Sequence, residues 1–342
     1  MKVFSIILKR TFVIVFLSIM LMACATQQDI PLTDVERNKI PIPDSKHKNL
    51  EGHDWLQLSN GQWVEYLKIG NIGEVVVFVC GILDDSITSF SYMPKLKEKA
   101  KNGYCQLYYV NLPGNGYSSV PDRNTFDPIF LKNCLAEFIL KMKLKEFTLI
   151  GNSNGGLISV LLASHKQCGT DFKIKNLLGF NPLLKEISFW EMDKYQKLLV
   201  KFPSKVVQQT ISTPFLGRKL VEFTLRSVEN EWYVSDDHVN LFYDRLSENY
   251  RCGIWSDYLK NALAMMPELR EICHELYENI SKRTDRIIFY SNTGDHWIPE
   301  NHVIEVADEM GVPCKKLGNG HIPQMTQCEL VEYEILQVLK LL

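Results

Sequence analysis

The sequence predicts an α/β fold with a mostly parallel central sheet and helices on both of its faces. The run Glu74–Val79 is apolar and β-branched after its first residue, as in a strand buried on both faces of a parallel sheet. Residues 126–143 carry apolar side chains at helical spacing. Lys173–Phe180 forms a further strand pattern, and residues 329–342 form a closing helix. Strands that alternate with helices of this length favour a parallel sheet.

A glycine-rich turn, Gly151–Gly156, separates one predicted strand from a helix of small residues. Strand, tight turn and helix are the context that a GxSxG nucleophile elbow requires. A serine in such a turn takes positive φ and needs neighbours without a Cβ where strand and helix approach closely. The pattern therefore predicts that Ser153 projects its hydroxyl above the sheet.

Two polar residues follow later predicted strands. Asp295 comes after a strand-like run that ends at Tyr290, and His321 comes after one that ends at Leu317. The chain order Ser153, Asp295, His321 is typical of a nucleophile, an orienting acid and a general base in one of the known triad arrangements. An alternative interpretation is that Asp295 only caps the helix that follows it and that His321 is an ordinary loop histidine.

With these residues the chain resembles the α/β-hydrolase superfamily over residues 60–342, apart from an insert. The resemblance implies that Ser153 is the nucleophile, His321 the general base and Asp295 its orienting acid. A serine hydroxyl becomes nucleophilic only when an imidazole takes its proton, and a carboxylate fixes the imidazole tautomer.

The resemblance also implies an oxyanion hole made by the backbone N–H groups of Ile82 and Asn154. The match is partial, because Cys80-Gly81 stands where the superfamily usually has a His-Gly pair. The loop Asn111–Ser118 looks like the Asp-Leu-Pro-Gly-His-Gly-x-Ser loop of many members of the superfamily. Backbone donors need no particular side chain, so the change at Cys80 affects the motif more than the mechanism.

Three short segments are similar to stretches of lipid droplet-associated hydrolases: Phe289–Pro299, Gly320–Pro323 and Phe180–Ser188. This narrower resemblance implies lipid or sterol esters as substrates.

The alternation of strands and helices stops for about a hundred residues after the strand that ends at Phe180. We expect an α-helical cap at residues 183–280, inserted into a core formed by residues 50–182 and 281–342. Such caps cover the active site and shape the substrate pocket. An alternative is that the aromatic residues of the insert only hold it to the core.

The N-terminus has the pattern of a lipoprotein-type signal peptide at residues 1–23. A basic start precedes the apolar stretch Thr11–Met22, which is too short to span a bilayer, and Leu21-Met-Ala-Cys24 resembles a bacterial lipobox. We therefore expect Cys24 to be the lipidated N-terminus of the mature chain.

Residues 24–49 are polar and poor in aromatics, and they predict a linker between anchor and domain. The expected location is exported and membrane-anchored, at the bacterial outer membrane or the periplasmic face. An alternative is an uncleaved anchor that begins at Val3 and tolerates Lys9 and Arg10 near its middle.

Composition and motifs argue against several other classes of protein. The formal net charge is −2, and loss of Lys2, Lys9 and Arg10 with the signal peptide leaves −5, so we expect no nucleic-acid partner. No Walker lysine, dinucleotide fingerprint, CxxC or HExxH motif is present in the sequence, so we expect no cofactor and no metal. Beyond Cys24 we expect mostly free thiols, because several cysteines lie in apolar patterns.

The sequence thus predicts a serine hydrolase that cleaves carboxylic esters or related acyl or lipid substrates through an acyl-enzyme. Three alternatives stay open. The same residues suit an acyltransferase or a carbon–carbon bond hydrolase. A non-catalytic lipid-binding protein with a vestigial triad is the third.

Overall fold

The computed structural model describes residues 53–82, 84–122, 124–187, 209–211, 213–229, 234–247, 252–279 and 284–342. The predicted signal peptide, Cys24 and the polar linker lie outside these residues, as does segment 188–208 of the predicted cap. In the described ranges, no helix has both the length and the apolar character needed to cross a bilayer.

The described residues form one eight-stranded sheet. Its strands are β1 (His53–Gln57), β2 (Trp63–Ile69), β3 (Glu74–Val79), β4 (Cys105–Asn111), β5 (Glu146–Asn152), β6 (Lys173–Phe180), β7 (Thr284–Thr293) and β8 (Cys314–Asn319). The strand order is β1-β2-β4-β3-β5-β6-β7-β8. Strand β2 runs antiparallel to both of its neighbours, and the pairs from β4 to β8 are parallel. The prediction of a mostly parallel sheet is confirmed.

Helices flank the sheet and form most of the described part of the segment between β6 and β7. They are α1 (Ser86–Ser89), α2 (Pro94–Lys101), α3 (Pro128–Lys141), α4 (Asn154–Ala163), α5 (Pro214–Val228), α6 (Asp236–Ser247), α7 (Cys252–Asn279), α8 (Glu300–Met310), α9 (Pro323–Thr326) and α10 (Cys328–Val338). The helices predicted at 126–143 and 329–342 correspond to α3 and α10. Helix α3 begins after Asp127, whose carboxylate caps it by accepting a hydrogen bond from the backbone N–H of Phe130.

The two faces of the sheet support separate hydrophobic clusters. In β3, Val77 and Val79 face the cluster that includes α3, α4 and α8, whereas Val76 and Phe78 face the cluster that includes α2 and α10. Successive residues of a strand point to opposite faces, so an uninterrupted apolar run is required when both faces are covered. The carboxyl ends of the parallel strands lie at one edge of the sheet, where the loops that follow them can carry a site.

In the part of the chain whose side chains the structure describes, six cysteines are free thiols: Cys80, Cys105, Cys134, Cys168, Cys314 and Cys328. This confirms the expectation of unpaired thiols at these positions. The first four are buried, which agrees with cysteine acting as a small apolar residue.

The composition of Asp236-Asp237-His238 predicts a solvated turn, but these residues form the first turn of α6, so this prediction is wrong. Both carboxylates are exposed and lie at the helix N-terminus, where the helix dipole favours negative charge.

Helix α7 of the insert is fixed to the core by aromatic side chains. Trp255 and Tyr258 are buried and pack on Phe126, with ring centroids 4.9 and 4.7 Å from the Phe126 ring. The indole N–H of Trp255 donates to the carbonyl of Gly114 at 3.0 Å. A side-chain amide of Asn261, one turn further on, donates to the carbonyl of Phe126. The insert therefore packs directly on the loops at the carboxyl edge of the sheet.

Helix α6 is fixed to the core by a buried ion network. The Arg245 guanidinium donates to Glu65 of β2 at 3.1 Å and, through Nε, to Asp85 at 2.6 Å, and it lies 4.1 Å from the centre of the Tyr117 ring. Burial by itself raises the pKa of Glu65, but Arg245 and the hydrogen bonds from His53, Tyr117 and Asn111 outweigh it and lower the pKa to about 2. Glu65 is therefore ionised, and the positive charge of Arg245 compensates its buried negative charge.

Replacing Arg245 with leucine is expected to lower the free energy of unfolding by about 3 to 5 kcal/mol, because it leaves the buried Glu65 and Asp85 without their cation. Urea unfolding of purified wild type and variant measures the loss. Arg218→Leu in α5 is the matched control, since its ion pairs are with partly exposed side chains and are worth about 1 kcal/mol or less. Equal losses in the two variants would contradict the account of Arg245.

Candidate functional site

Ser153 occupies the predicted tight turn between β5 and α4. Its φ is 54° and its ψ is −121°, a conformation that a residue with a Cβ adopts only under constraint. The constraint comes from both sides of the turn. The Ser153 N–H donates to the carbonyl of Phe180 in β6 at 2.9 Å, and the Ser153 carbonyl accepts from the N–H groups of Gly156 and Leu157.

The two glycines flanking Ser153 are required by close packing. A Cβ at Gly151 would lie 2.3 Å from the carbonyl oxygen of Gly155, and one at Gly155 would lie 2.3 Å from the carbonyl oxygen of Val79. Neither glycine has positive φ. The strand and the helix thus approach so closely that any side chain at these positions would push the turn apart.

Asp295 and His321 are in direct contact at the same edge of the sheet. His321 Nδ1 lies 2.8 Å from Asp295 Oδ2. The other carboxylate oxygen, Oδ1, accepts from the N–H groups of Trp297 and Ile298 at 2.8 and 2.9 Å. One oxygen of Asp295 therefore caps the turn that leads into α8, and the other contacts the imidazole.

The loop that carries His321 is tied to the residue before the serine. The Asn152 side-chain amide donates to the His321 carbonyl at 3.1 Å and to the Phe180 carbonyl at 3.2 Å. Ser153 and His321 are each 5% exposed. The structure forms no hydrogen bond between Ser153 Oγ and the imidazole, both of which are described; such bonds commonly tighten only when substrate binds.

The predicted oxyanion-hole residues follow Gly81 and Ser153 in the chain, and Gly81 lies close to Ser153. A Cβ at Gly81 would lie 3.0 Å from Ser153 Cβ and 3.4 Å from its Oγ, so the loop that follows β3 runs directly against the hydroxyl. Ile82 is the next residue of that loop, and Asn154 is the first residue of α4, where backbone N–H groups have no partner within the helix. The N–H groups of Ile82 and Asn154 therefore belong to two chain segments that meet at Ser153.

Cys80, the departure from the usual motif, is buried and packed against the predicted loop Asn111–Ser118. Its Sγ lies 3.0 Å from Nδ2 of Asn115, which also donates to the Gly81 carbonyl. Burial, together with the nearby carboxylates Asp84 and Asp85, raises the pKa of the Cys80 thiol well above its usual range. Cys80 is therefore a neutral packing residue that holds the loop.

The electrostatics around His321 are dominated by carboxyl groups. Burial on its own lowers the pKa of the imidazole, but the contact with Asp295 and the charges of Glu229 and Asp84 raise it above the ordinary value. The protonated form of His321 is thus favoured by its surroundings. A base in such a setting readily accepts a proton from a neighbouring hydroxyl.

Asp84 is a buried acid in the loop after β3. Its Oδ1 accepts from the N–H of Asp85 at 2.7 Å and from the hydroxyl of Ser89, whereas Oδ2 has no hydrogen-bond partner among the described residues. Burial is the largest cause of a pKa raised to about 7. A carboxyl group in this position is most stable when it carries its proton.

Asp84→Asn is expected to make the free energy of unfolding less sensitive to rising pH. Because the pKa of Asp84 is about 7 in the folded state and 3.8 ordinarily, its contribution to stability is full below pH 4 and is lost as pH rises through 7. The free energy of unfolding of the variant should therefore gain on the wild type by about 1 to 4 kcal/mol between pH 4 and pH 8. Urea unfolding across this range measures the difference.

The exposed acid Asp171 supplies the control for this experiment. Asp171→Asn should follow the wild-type pH dependence closely. An Asp84→Asn curve parallel to the wild type would contradict the assignment of a buried, protonated acid.

Four residues that contact the site had not been predicted. Asn152 and Asn181 are at the ends of β5 and β6, and the Asn181 amide donates to Asp295 Oδ2 and to the carbonyl of Gly320. Their position at strand ends was a usable signal. Tyr258, which donates to Oδ1 of Asn154 at 2.5 Å, and Glu229, which contacts the His321 loop, come from the insert. No sequence pattern indicates how an insert docks.

Comparison with known proteins agrees with this architecture. A family model for the alpha/beta hydrolase fold matches residues 74–309. A comparison with curated proteins found no match. Asp295 lies inside the matched range, and His321 lies beyond its C-terminal end.

Solved structures share the fold at low sequence identity. A hydrolase from Pseudomonas aeruginosa PA01 aligns with a TM-score of 0.62 at 15% identity, covering 85% of this chain and 99% of that one. The enol-lactonase from Burkholderia xenovorans LB400 aligns with a TM-score of 0.61 at 16% identity, covering 84% and 100%. A carboxylesterase structure from the thaumarchaeon Nitrososphaera gargenis aligns with a TM-score of 0.60 at 16% identity, covering 84% and 99%.

The family match covers more than half of the chain, and the sheet order, the tight turn after β5 and the solved structures agree with it. The chain belongs to the α/β-hydrolase fold family.

Proposed function

We propose that this protein is a serine hydrolase that cleaves carboxylic esters or related acyl and lipid substrates through an acyl-enzyme. The observation that supports this most strongly is that Ser153, His321 and Asp295 lie at the same edge of the sheet. A strained Ser153 lies against the loop after β3, and the contacting pair His321 and Asp295 is tied to Asn152, the residue before the serine.

The proposed reaction begins with proton transfer. Asp295 accepts a hydrogen bond from Nδ1–H of His321, which leaves Nε2 free to take the proton of the Ser153 hydroxyl. Ser153 Oγ attacks the carbonyl carbon, and the electron pair of the carbonyl bond moves to its oxygen. The backbone N–H groups of Ile82 and Asn154 are the proposed donors to this oxyanion.

The intermediate then collapses to the acyl-enzyme. The bond from the carbonyl carbon to the leaving alcohol breaks, and the alcohol receives the proton held by His321. Water attacks the acyl-enzyme with His321 again as base, which releases the carboxylic acid and restores Ser153. The raised pKa of His321 suits both halves of this cycle, because the imidazolium must persist until the leaving group departs.

Two sources support an ester-type bond as the target. The names of the similar structures include an enol-lactonase and a carboxylesterase, which describe those proteins. The resemblance to lipid droplet-associated hydrolases favours lipid esters. Ser153 and His321 are buried beneath the insert, which agrees with a substrate that is desolvated when it binds.

We further propose that the chain is exported and tethered to a membrane through lipidated Cys24. The lipobox-like sequence at residues 21–24 and the polar segment that follows support this location. A membrane tether places the enzyme next to lipid esters.

Product analysis with a panel of esters of increasing acyl length tests the proposal. We expect release of the free acid and the alcohol at a rate that depends on Ser153. A competing alcohol distinguishes hydrolysis from acyl transfer, since transfer converts most of the substrate to a new ester. Predominant formation of that new ester, or saturable binding of a fatty acid without any turnover, would contradict the hydrolase assignment.

A further inference from the structure

We propose that Glu229, at the end of helix α5 in the insert, is a positioning residue that holds the backbone of His321. This inference rests on the proposed function, because it assigns a role to His321 as a base. It makes the docking of the insert a condition for a correctly placed imidazole.

The contacts of Glu229 are directed at the loop that carries His321. Its Oε1 accepts from the N–H of His321 at 2.7 Å and from the N–H of Ile322, and its Oε2 accepts from the hydroxyl of Thr326 at 3.0 Å. The residue is 5% exposed and directly follows the last residue of α5. Its own N–H donates to the carbonyl of Leu225, which continues the helix by one residue.

The Glu229 carboxylate packs closely against Gly320, the residue before His321. Gly320 has φ +86°, and a Cβ there would lie 2.1 Å from Glu229 Oε2. The glycine is needed for its backbone conformation and for the close approach of the carboxylate. The fit between Glu229 and Gly320 therefore fixes the chain immediately before His321.

The chain after His321 is packed into the insert. Ile322 and Met325 belong to a hydrophobic cluster with Val221 and Leu225 of α5 and Phe242 of α6. The segment that bears His321 is thus bonded to the insert by Glu229 and packed on the insert by its apolar neighbours. A displacement of α5 would carry this segment with it.

Burying a carboxylate at the position of Glu229 lowers the stability of the folded protein. Among the described residues, no lysine or arginine forms an ion pair with it, and burial raises its pKa to about 8. The backbone N–H groups of His321 and Ile322 offset part of that cost. An acid with these contacts orients the loop at the expense of some stability.

The test compares two substitutions of similar length. Glu229→Gln keeps an acceptor oxygen for both backbone N–H groups, and Glu229→Met keeps the volume but has no acceptor. For an ester that the wild type hydrolyses, we expect kcat of the Gln variant within about threefold of wild type. We expect kcat of the Met variant to fall about 10- to 100-fold with KM changed little. Glu222→Met, on the same helix but paired with Lys219 and Arg226 near the surface, is the control and should keep wild-type kcat.

A second readout does not depend on turnover. The His321 imidazole is followed by NMR of histidine-labelled protein, with His321→Gln used for assignment. The hydrogen-bonded Nδ1–H signal should persist in wild type and Glu229→Gln and be lost in Glu229→Met. The ionisable groups that face His321 are Asp295, Glu229 and Asp84, and Glu229→Gln removes one acid whose ionised form raises the pKa of His321.

The outcomes separate the two claims. Unchanged kcat and an unchanged Nδ1–H signal in Glu229→Met would overturn the positioning role. If Glu229→Met does not fold, Glu229→Ala, which also removes both acceptor oxygens, takes its place: loss of the Nδ1–H signal supports the role, and an unchanged signal overturns it. A wild type that hydrolyses no ester would overturn the proposed function, and the NMR readout would still judge Glu229.

Discussion

Ser153→Ala is expected to reduce the turnover of an accepted ester by about four to six orders of magnitude, because it removes the atom that attacks the carbonyl. The free energy of unfolding should change by about 0.5 kcal/mol or less. Ser153 Oγ makes no hydrogen bond to a described residue, and alanine meets the same backbone constraint at φ 54°. Steady-state kinetics and thermal unfolding of the two purified proteins measure both effects.

A second serine in the same helix supplies the control. Ser159 is buried in α4, and its hydroxyl donates to the carbonyl of Gly155 at 2.7 Å. Ser159→Ala should keep turnover while losing a small amount of stability. A Ser153→Ala protein with wild-type rates would remove the nucleophile assignment.

Asp295→Asn is expected to lower kcat by about 10³- to 10⁴-fold. An amide presents one oxygen and one NH₂ group where the carboxylate accepts at both oxygens. Whichever way it turns, a donor then faces either His321 Nδ1–H or the N–H groups of Trp297 and Ile298. The imidazole loses its fixed tautomer, and about 1 to 3 kcal/mol of stability is lost with the unmatched donors.

The pH dependence of the same variant has a definite sign. Asp295 raises the pKa of His321, and turnover requires the unprotonated imidazole. The acid limb of kcat/KM should therefore lie above the ordinary histidine value in the wild type and move to lower pH in Asp295→Asn. Asp308→Asn, an exposed change in α8, should alter neither kcat nor the acid limb. A full rate in Asp295→Asn, or an acid limb that moves upward, would contradict the proposed role of Asp295.

Much of the fold was predictable because local patterns agree with it. The glycines around Ser153 are required because the backbone segments at this turn approach closely. Any sequence that forms this turn therefore needs glycine at these positions, which makes the turn recognisable. Asp295 and His321 follow strands whose ends meet at one edge, so their proximity follows from parallel topology. The antiparallel strands β1 and β2 had no comparable signal, since their alternating polar residues are common in loops as well.

The parts of the site that were not predicted depend on the insert. Glu229 and Tyr258 reach the site only because α5 and α7 dock on particular loops, and nothing in the local sequence encodes that contact. Asp84 lies in the loop after β3, but its protonation depends on burial by distant segments. Long-range packing therefore determines where these residues lie, whereas the ends of strands determine where Ser153, Asp295 and His321 lie.

Labelling with a fluorophosphonate probe tests the central claim most directly. The purified protein and its Ser153→Ala variant are treated in parallel, and the intact mass of each is measured after folding has been checked by thermal unfolding. The account predicts a single phosphonyl adduct on the wild type and none on the variant. A folded wild type that is not labelled, or a variant that is labelled equally, would contradict an activated serine at position 153.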